Sequence, residues 1–95
     1  MVYLQITLNI TAANRPAAAN VFLQYREPFL SSIQGALSKN LLLRDEDVQV
    51  LHGFDTAEHA QHYLQSELFN KDVVSALTPL LAAAPDIRLY QQAEF

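Results

Sequence analysis

The chain has 95 residues, 51% of them apolar, a formal charge of −4 and no cysteine. That length holds one domain with a single hydrophobic core. The scattered acidic balance excludes a nucleic-acid surface, which needs a Lys/Arg stripe to displace counterions, and the missing thiols exclude disulfides, cysteine nucleophiles and thiolate metal sites.

Val2, Leu4, Ile6, Leu8 and Ile10 alternate with Tyr3, Gln5, Thr7 and Asn9, the period-2 pattern of a strand with one apolar and one polar face. Thr11 to Arg15 reads as a turn, and Pro16 suits the first position of a helix. Ala18, Phe22, Tyr25, Phe29 and Ile33 then form one apolar stripe along that helix. Pro28 falls inside it, which predicts a kink or a split near Glu27. Gly35 ends the helix, and Ala36 to Arg44 reads as a second strand. Asp45-Glu46-Asp47 forms a hairpin turn into an antiparallel partner, Val48 to Phe54.

Asp55 is the expected cap of the next helix, with Glu58 completing a capping box. Its inner face carries Ala57, Ala60 and Leu64, with His59 and His62 opposite and Tyr63 at the border. Val73, Val74, Ala76, Leu77, Leu80 and Leu81 predict a further apolar helix, kinked at Pro79 and stopped by Pro85. Asp86 to Phe95 closes the chain as a strand, with Ile87, Leu89 and Ala93 on one face and Arg88, Tyr90, Gln92 and Glu94 on the other.

The order β-α-β-β-α-α-β predicts one α+β domain over residues 1–95. Its form is ferredoxin-like: a four-stranded antiparallel sheet with helices on one face. The uncovered face, with Tyr3, Gln5, Thr7, Asn9, Arg88 and Tyr90, and a secondary helix stripe of Leu23 and Leu30, predict a homodimer. No run approaches the roughly 18 apolar residues of a membrane span. The first residues enter a strand directly, without a basic and apolar leader pattern, so a cytoplasmic location is expected. Two glycines are too few for a Gly-rich phosphate cradle.

His59 and His62 lack a third ligand in reach, so no metal is expected; they read as solvated helix-face histidines. His52 shares the phase of Val48, Val50 and Phe54 and is a candidate base or ligand-orienting group, or else a core histidine bonded to backbone. Tyr25 and Tyr63 come from different helices and could hydrogen-bond a flat phenolic ligand. Phe22, Phe54 and Phe69 would line the same cavity. Asn9 and Arg88 are candidate ligand contacts within the strands. No Ser-His-Asp set can be assembled.

Several segments resemble the antibiotic-biosynthesis-monooxygenase-like family of dimeric α+β barrels. They are Gln34-Gly35-Ala36-Leu37, Phe54, Tyr63-Leu64-Gln65-Ser66-Glu67-Leu68-Phe69, Leu77-Thr78-Pro79-Leu80-Leu81 and Arg88-Leu89-Tyr90. The third of these stands where the family has His-Leu-x-Ser-x-His-Phe, with its two histidines replaced by Tyr63 and Leu68. The resemblance implies a homodimer and an oxidoreductase that oxygenates small phenolic or quinol-like molecules without metal or flavin. The substrate anion itself would react with dioxygen in a dry pocket, with His52, Tyr25 and Tyr63 positioning and deprotonating it. The haem-degrading branch, which uses an Asn, Trp and His set, is excluded: there is no tryptophan, and Val73 stands at its histidine position. The alternative is a non-catalytic dimeric module that binds a small ligand or serves as an accessory or stress protein. The enzyme reading predicts an apolar pocket of about a few hundred Å³ between helices and sheet, with at least two of the three polar groups converging.

Overall fold

A computed structural model describes residues 1–95 in full. Four strands, β1 (Val2–Leu8), β2 (Ala36–Leu43), β3 (Val48–Phe54) and β4 (Asp86–Gln91), form one sheet in the order β2-β3-β1-β4. Every neighbouring pair is antiparallel. This is the ferredoxin-like α+β layer that the alternation of apolar residues predicts. β1 is central because it can bury Val2, Leu4, Ile6 and Leu8 on one face while bonding to strands on both sides. β4 stops at Gln91, four residues short of the expected end; beyond it only the Gln92 amide still bonds back, to the Met1 carbonyl.

Helix α1 (Arg15–Ser32) runs unbroken through Pro28 and follows a 3-10 turn over Ala12–Asn14. The expected split does not occur. Phe29, fully buried one residue later, anchors the last turn to the sheet, and the Ser31 hydroxyl donates to the Glu27 carbonyl at 2.8 Å. Gly35 takes φ +81°, a left-handed conformation that favours glycine, and turns the chain into β2. The secondary stripe on α1 does not hold together: Leu23 is exposed, but Leu30 packs against the core.

Helix α2 (Ala57–Leu64) is capped by Thr56, not Asp55: the Thr56 hydroxyl accepts from the His59 amide at 3.2 Å. Asp55 is otherwise engaged, its carboxylate 2.6 Å from His59 Nδ1. His59 is therefore hydrogen-bonded to Asp55 rather than simply solvated, while His62 is exposed. The expected kinked helix is instead a π-helical turn (Leu68–Val73), a short helix α3 (Val74–Leu77) and a 3-10 turn (Thr78–Leu80). Ser66 receives the Phe69 amide at 3.2 Å and starts this segment. Pro79 sits in the closing 3-10 turn, and Leu81 is already extended, well before Pro85. The Ala82 amide ties the connection into β4 to the Asn9 carbonyl at 2.8 Å.

All helices cover the face of the sheet that carries Leu4, Ile6, Val50 and Phe54, and the core lies between the two layers. No helix is long and apolar enough to cross a membrane.

Candidate functional site

Between α1, the π turn and the covered face of the sheet lies a cavity of about 100 Å³. Its wall is apolar except at Lys39, His52 and Thr78, and the ring of Tyr63 also lines it. Val74, Thr78 and Pro85 line it yet are exposed, so they mark its mouth. Strand register builds the floor. Lys39 of β2 stands opposite His52 of β3, which stands opposite Leu4 of β1; directly opposed residues of antiparallel strands point to the same face. The π turn builds the wall, since its wider winding turns both Phe69 and Val73 inward and buries them.

One aromatic residue organises the deepest part. Phe29 packs edge-on against His52, Phe54 and Tyr63, with ring centroids 5.2, 5.5 and 4.9 Å away. It also lies under the Lys39 ammonium, whose Nζ is 5.2 Å from the Phe29 ring centre and 5.8 Å from that of Phe22. Such contacts stabilise a cation by an order of about 1 kcal/mol, far less than a partner carboxylate in a dry site.

Each polar group is shifted by burial. His52 is 1% exposed and its Nδ1–H donates to the Leu4 carbonyl at 3.1 Å. In a neutral ring this leaves Nε2 as the unprotonated nitrogen. Loss of water, and then the charge of Lys39, lower its pKa to about 3, although the Leu4 and Val50 carbonyls oppose the shift. His52 is thus neutral at physiological pH and a weak base. Lys39 is 3% exposed and forms no ion pair; desolvation lowers its pKa to about 8. The Tyr63 hydroxyl is buried without a hydrogen-bond partner, and burial pushes its pKa up. An orphaned buried hydroxyl is costly, by about 1–3 kcal/mol, and calls for an explanation.

No family model matches the sequence, and no curated protein does. Solved structures match it closely in shape. A putative antibiotic biosynthesis monooxygenase from Caulobacter crescentus superposes with a TM-score of 0.84 at 22% identity, over 98% of this chain and 90% of that one. A second from Nitrosomonas europaea gives 0.83 at 9% identity, over 99% and 100%. A conserved protein from Methanosarcina mazei gives 0.83 at 14%, over 97% and 92%. The fold is that of the antibiotic-biosynthesis-monooxygenase-like structures.

On this fold, His52 and Tyr63 come together at the cavity, their ring centres 5.4 Å apart. Tyr63 is not at a helix border but in the core, 1% exposed. Tyr25 packs against the core without lining the cavity. Phe22 and Phe69 line it; Phe54 is buried behind Phe29 and Tyr63 and does not. Asn9 is exposed at the end of β1. Arg88 lies on the opposite face of the sheet, paired with Asp86 at 3.1 Å. No three His, Asp or Glu side chains gather in a set able to hold a metal ion. At about 100 Å³ the cavity is smaller than the expected few hundred.

Sequence reasoning missed Lys39. The sequence carried no clear signal for it, because Leu41, Leu42 and Leu43 run together; in the structure Leu41 packs against the core, and Lys39, two residues away in β2, shares its face.

Proposed function

We propose that this protein is a cofactor-independent monooxygenase acting on a small phenolic or quinol-like molecule bound in the cavity. The observation that carries the reading is an apolar chamber whose few polar wall residues, Lys39, His52, Tyr63 and Thr78, are supplied by four separate elements. In this chemistry the ionised substrate is electron-rich enough to reduce dioxygen itself; the protein excludes water and holds the ring. His52 then orients the substrate through its neutral Nε2 and does not serve as the base, since a pKa lowered to about 3 leaves it too weak to hold the substrate's proton. Tyr63 offers its unused hydroxyl as a donor. That the similar Caulobacter and Nitrosomonas structures carry a monooxygenase name supports the reading.

The working unit in this proposal is a homodimer. The open sheet face supports it: Tyr3, Gln5, Thr7 and Leu51 are half-buried there in one chain alone, and Leu42 and Tyr90 add exposed apolar surface. A second sheet packed on that face would close a barrel. Sedimentation showing only monomer at micromolar concentration would remove the dimer.

The alternative is a ligand-binding module without catalysis. The small volume and the backbone-bonded, neutral His52 favour it. Dioxygen uptake decides between the two. Metal-stripped, flavin-free protein is assayed with reduced quinols and anthrones, beside His52→Ala and Tyr63→Phe. Uptake that falls in both variants supports the oxygenase; no uptake across the panel leaves the binding module.

A further inference from the structure

The cavity holds an unbalanced charge. None of the ten acidic residues lines it, and Lys39 has no carboxylate within ion-pairing distance. The Lys39 ammonium makes no hydrogen bond; its contacts are the faces of Phe22 and Phe29. Tyr63, packed on the same Phe29 ring, keeps a buried hydroxyl that also lacks a partner. An ammonium and a hydroxyl are both donors, and both lack a partner on side chains that pack against the same Phe29 ring. The third polar wall group on the sheet, His52, is neutral and adds no negative charge. A group able to satisfy these donors is an oxygen that accepts hydrogen bonds, and best of all one that is negatively charged.

We propose that Lys39 and Tyr63 form an oxyanion receptor, in which the ionised oxygen of a small, flat, apolar acid sits against both while its ring occupies the apolar chamber. The proposal deepens the reading above by naming the form of the ligand and the residue that selects it. A neutral phenol leaves Lys39 an unpaired buried cation; a phenolate, enolate or carboxylate neutralises it. The electron-rich anion is also the species that dioxygen attacks, so Lys39 would hold the reacting oxygen in its reactive state.

The probe is 4-nitrophenol, whose ionised form absorbs in the visible and whose binding needs no oxygen chemistry. With saturating protein, its ionisation midpoint is expected to fall by about one pH unit, a tenfold preference for the anion. Lys39→Met should abolish the shift or reverse it, Tyr63→Phe should reduce it, and Lys71→Met, on the exposed face of the π turn, should leave it intact. Circular dichroism of each variant confirms that the fold persists. Benzoate is the second arm: displacement of the phenolate marks a general oxyanion receptor, and its failure confines the site to phenolates and enolates. An unchanged or raised midpoint in the wild-type protein overturns the receptor, as does a shift that survives Lys39→Met. So does the absence of binding by both probes at millimolar concentration. Oxygen uptake can fail while this optical shift stands, so the two readings fall separately.

Discussion

Lys39 and Arg88 are cations on the two faces of one sheet, and their surroundings could hardly differ more. Arg88 lies on the open face, paired with Asp86 at 3.1 Å, and that contact raises its pKa. Its neighbours there are polar: Gln5, Thr7, Gln49, and the Arg44–Asp47 pair at 2.7 Å. Lys39 lies on the covered face with no counterion, against two phenyl rings, and its pKa is lowered. A charge that water and a neighbour satisfy says little about function, because exposed pairs contribute almost nothing. A charge kept dry and unpaired destabilises the fold. A charged ligand oxygen would therefore gain more from Lys39 on the covered face than from Arg88 on the open one.

The covered face should be the sensitive one. Phe29→Ala removes the ring shared by His52, Phe54, Tyr63 and Lys39 and is expected to cost about 3–5 kcal/mol, read by urea denaturation. A loss under about 1 kcal/mol would mean that the layers are not packed as described.

Acid tests the same face through His52. Its pKa is about 3 in the folded chain, against 6.5 unfolded. The folded value is the depressed one, so this contribution to stability is complete above pH 6.5 and is lost as pH falls toward 3. Within that window the slope from this group approaches about 1.4 kcal/mol per pH unit. His52→Gln should flatten the curve; an unchanged curve would place the acid sensitivity elsewhere.

Lys39→Met acts in the opposite direction. The ammonium is held below its unfolded pKa of 10.5, at about 8, so burying it destabilises the fold at neutral pH. The variant should gain about 1–3 kcal/mol at pH 7. The advantage should shrink as pH rises from 8 to 10.5, where the wild-type amine is neutral when folded. A variant that is less stable at pH 7 would mean that Lys39 is satisfied in the free protein.

How far these features were legible in the sequence depends on how local their causes are. β1 and β3 were readable because each alternates cleanly, and the Asp45–Asp47 turn because Arg44 and Asp47 close it. The phase of β2 was not readable. Leu41, Leu42 and Leu43 run together, and a bulge between Ala36 and Ser38 turns Leu37 outward, so the strand gave no unambiguous inner face. The inward placement of Lys39 was hidden for that reason. The π turn was also invisible, since one extra residue per turn leaves no distinct apolar period over six positions. Tyr63 looked like a border residue by helix angle alone; Phe29, 34 residues earlier in the chain, draws it into the core.

The open face gives the smallest effect. Arg88→Met removes an ion pair whose members are both well exposed, and the open face has ample water to replace it. The urea midpoint of the monomeric protein should not move measurably, and 4-nitrophenol binding should be unchanged, because Arg88 is separated from the cavity by the sheet. Dimerisation is the one property it should alter. If two sheets close over this face, a methionine in place of a paired arginine changes the dimer dissociation constant, measured by sedimentation. An effect on nitrophenol binding without any effect on assembly would reverse the assignment of the two faces, and Lys39 would lose its claim to be the cation that matters.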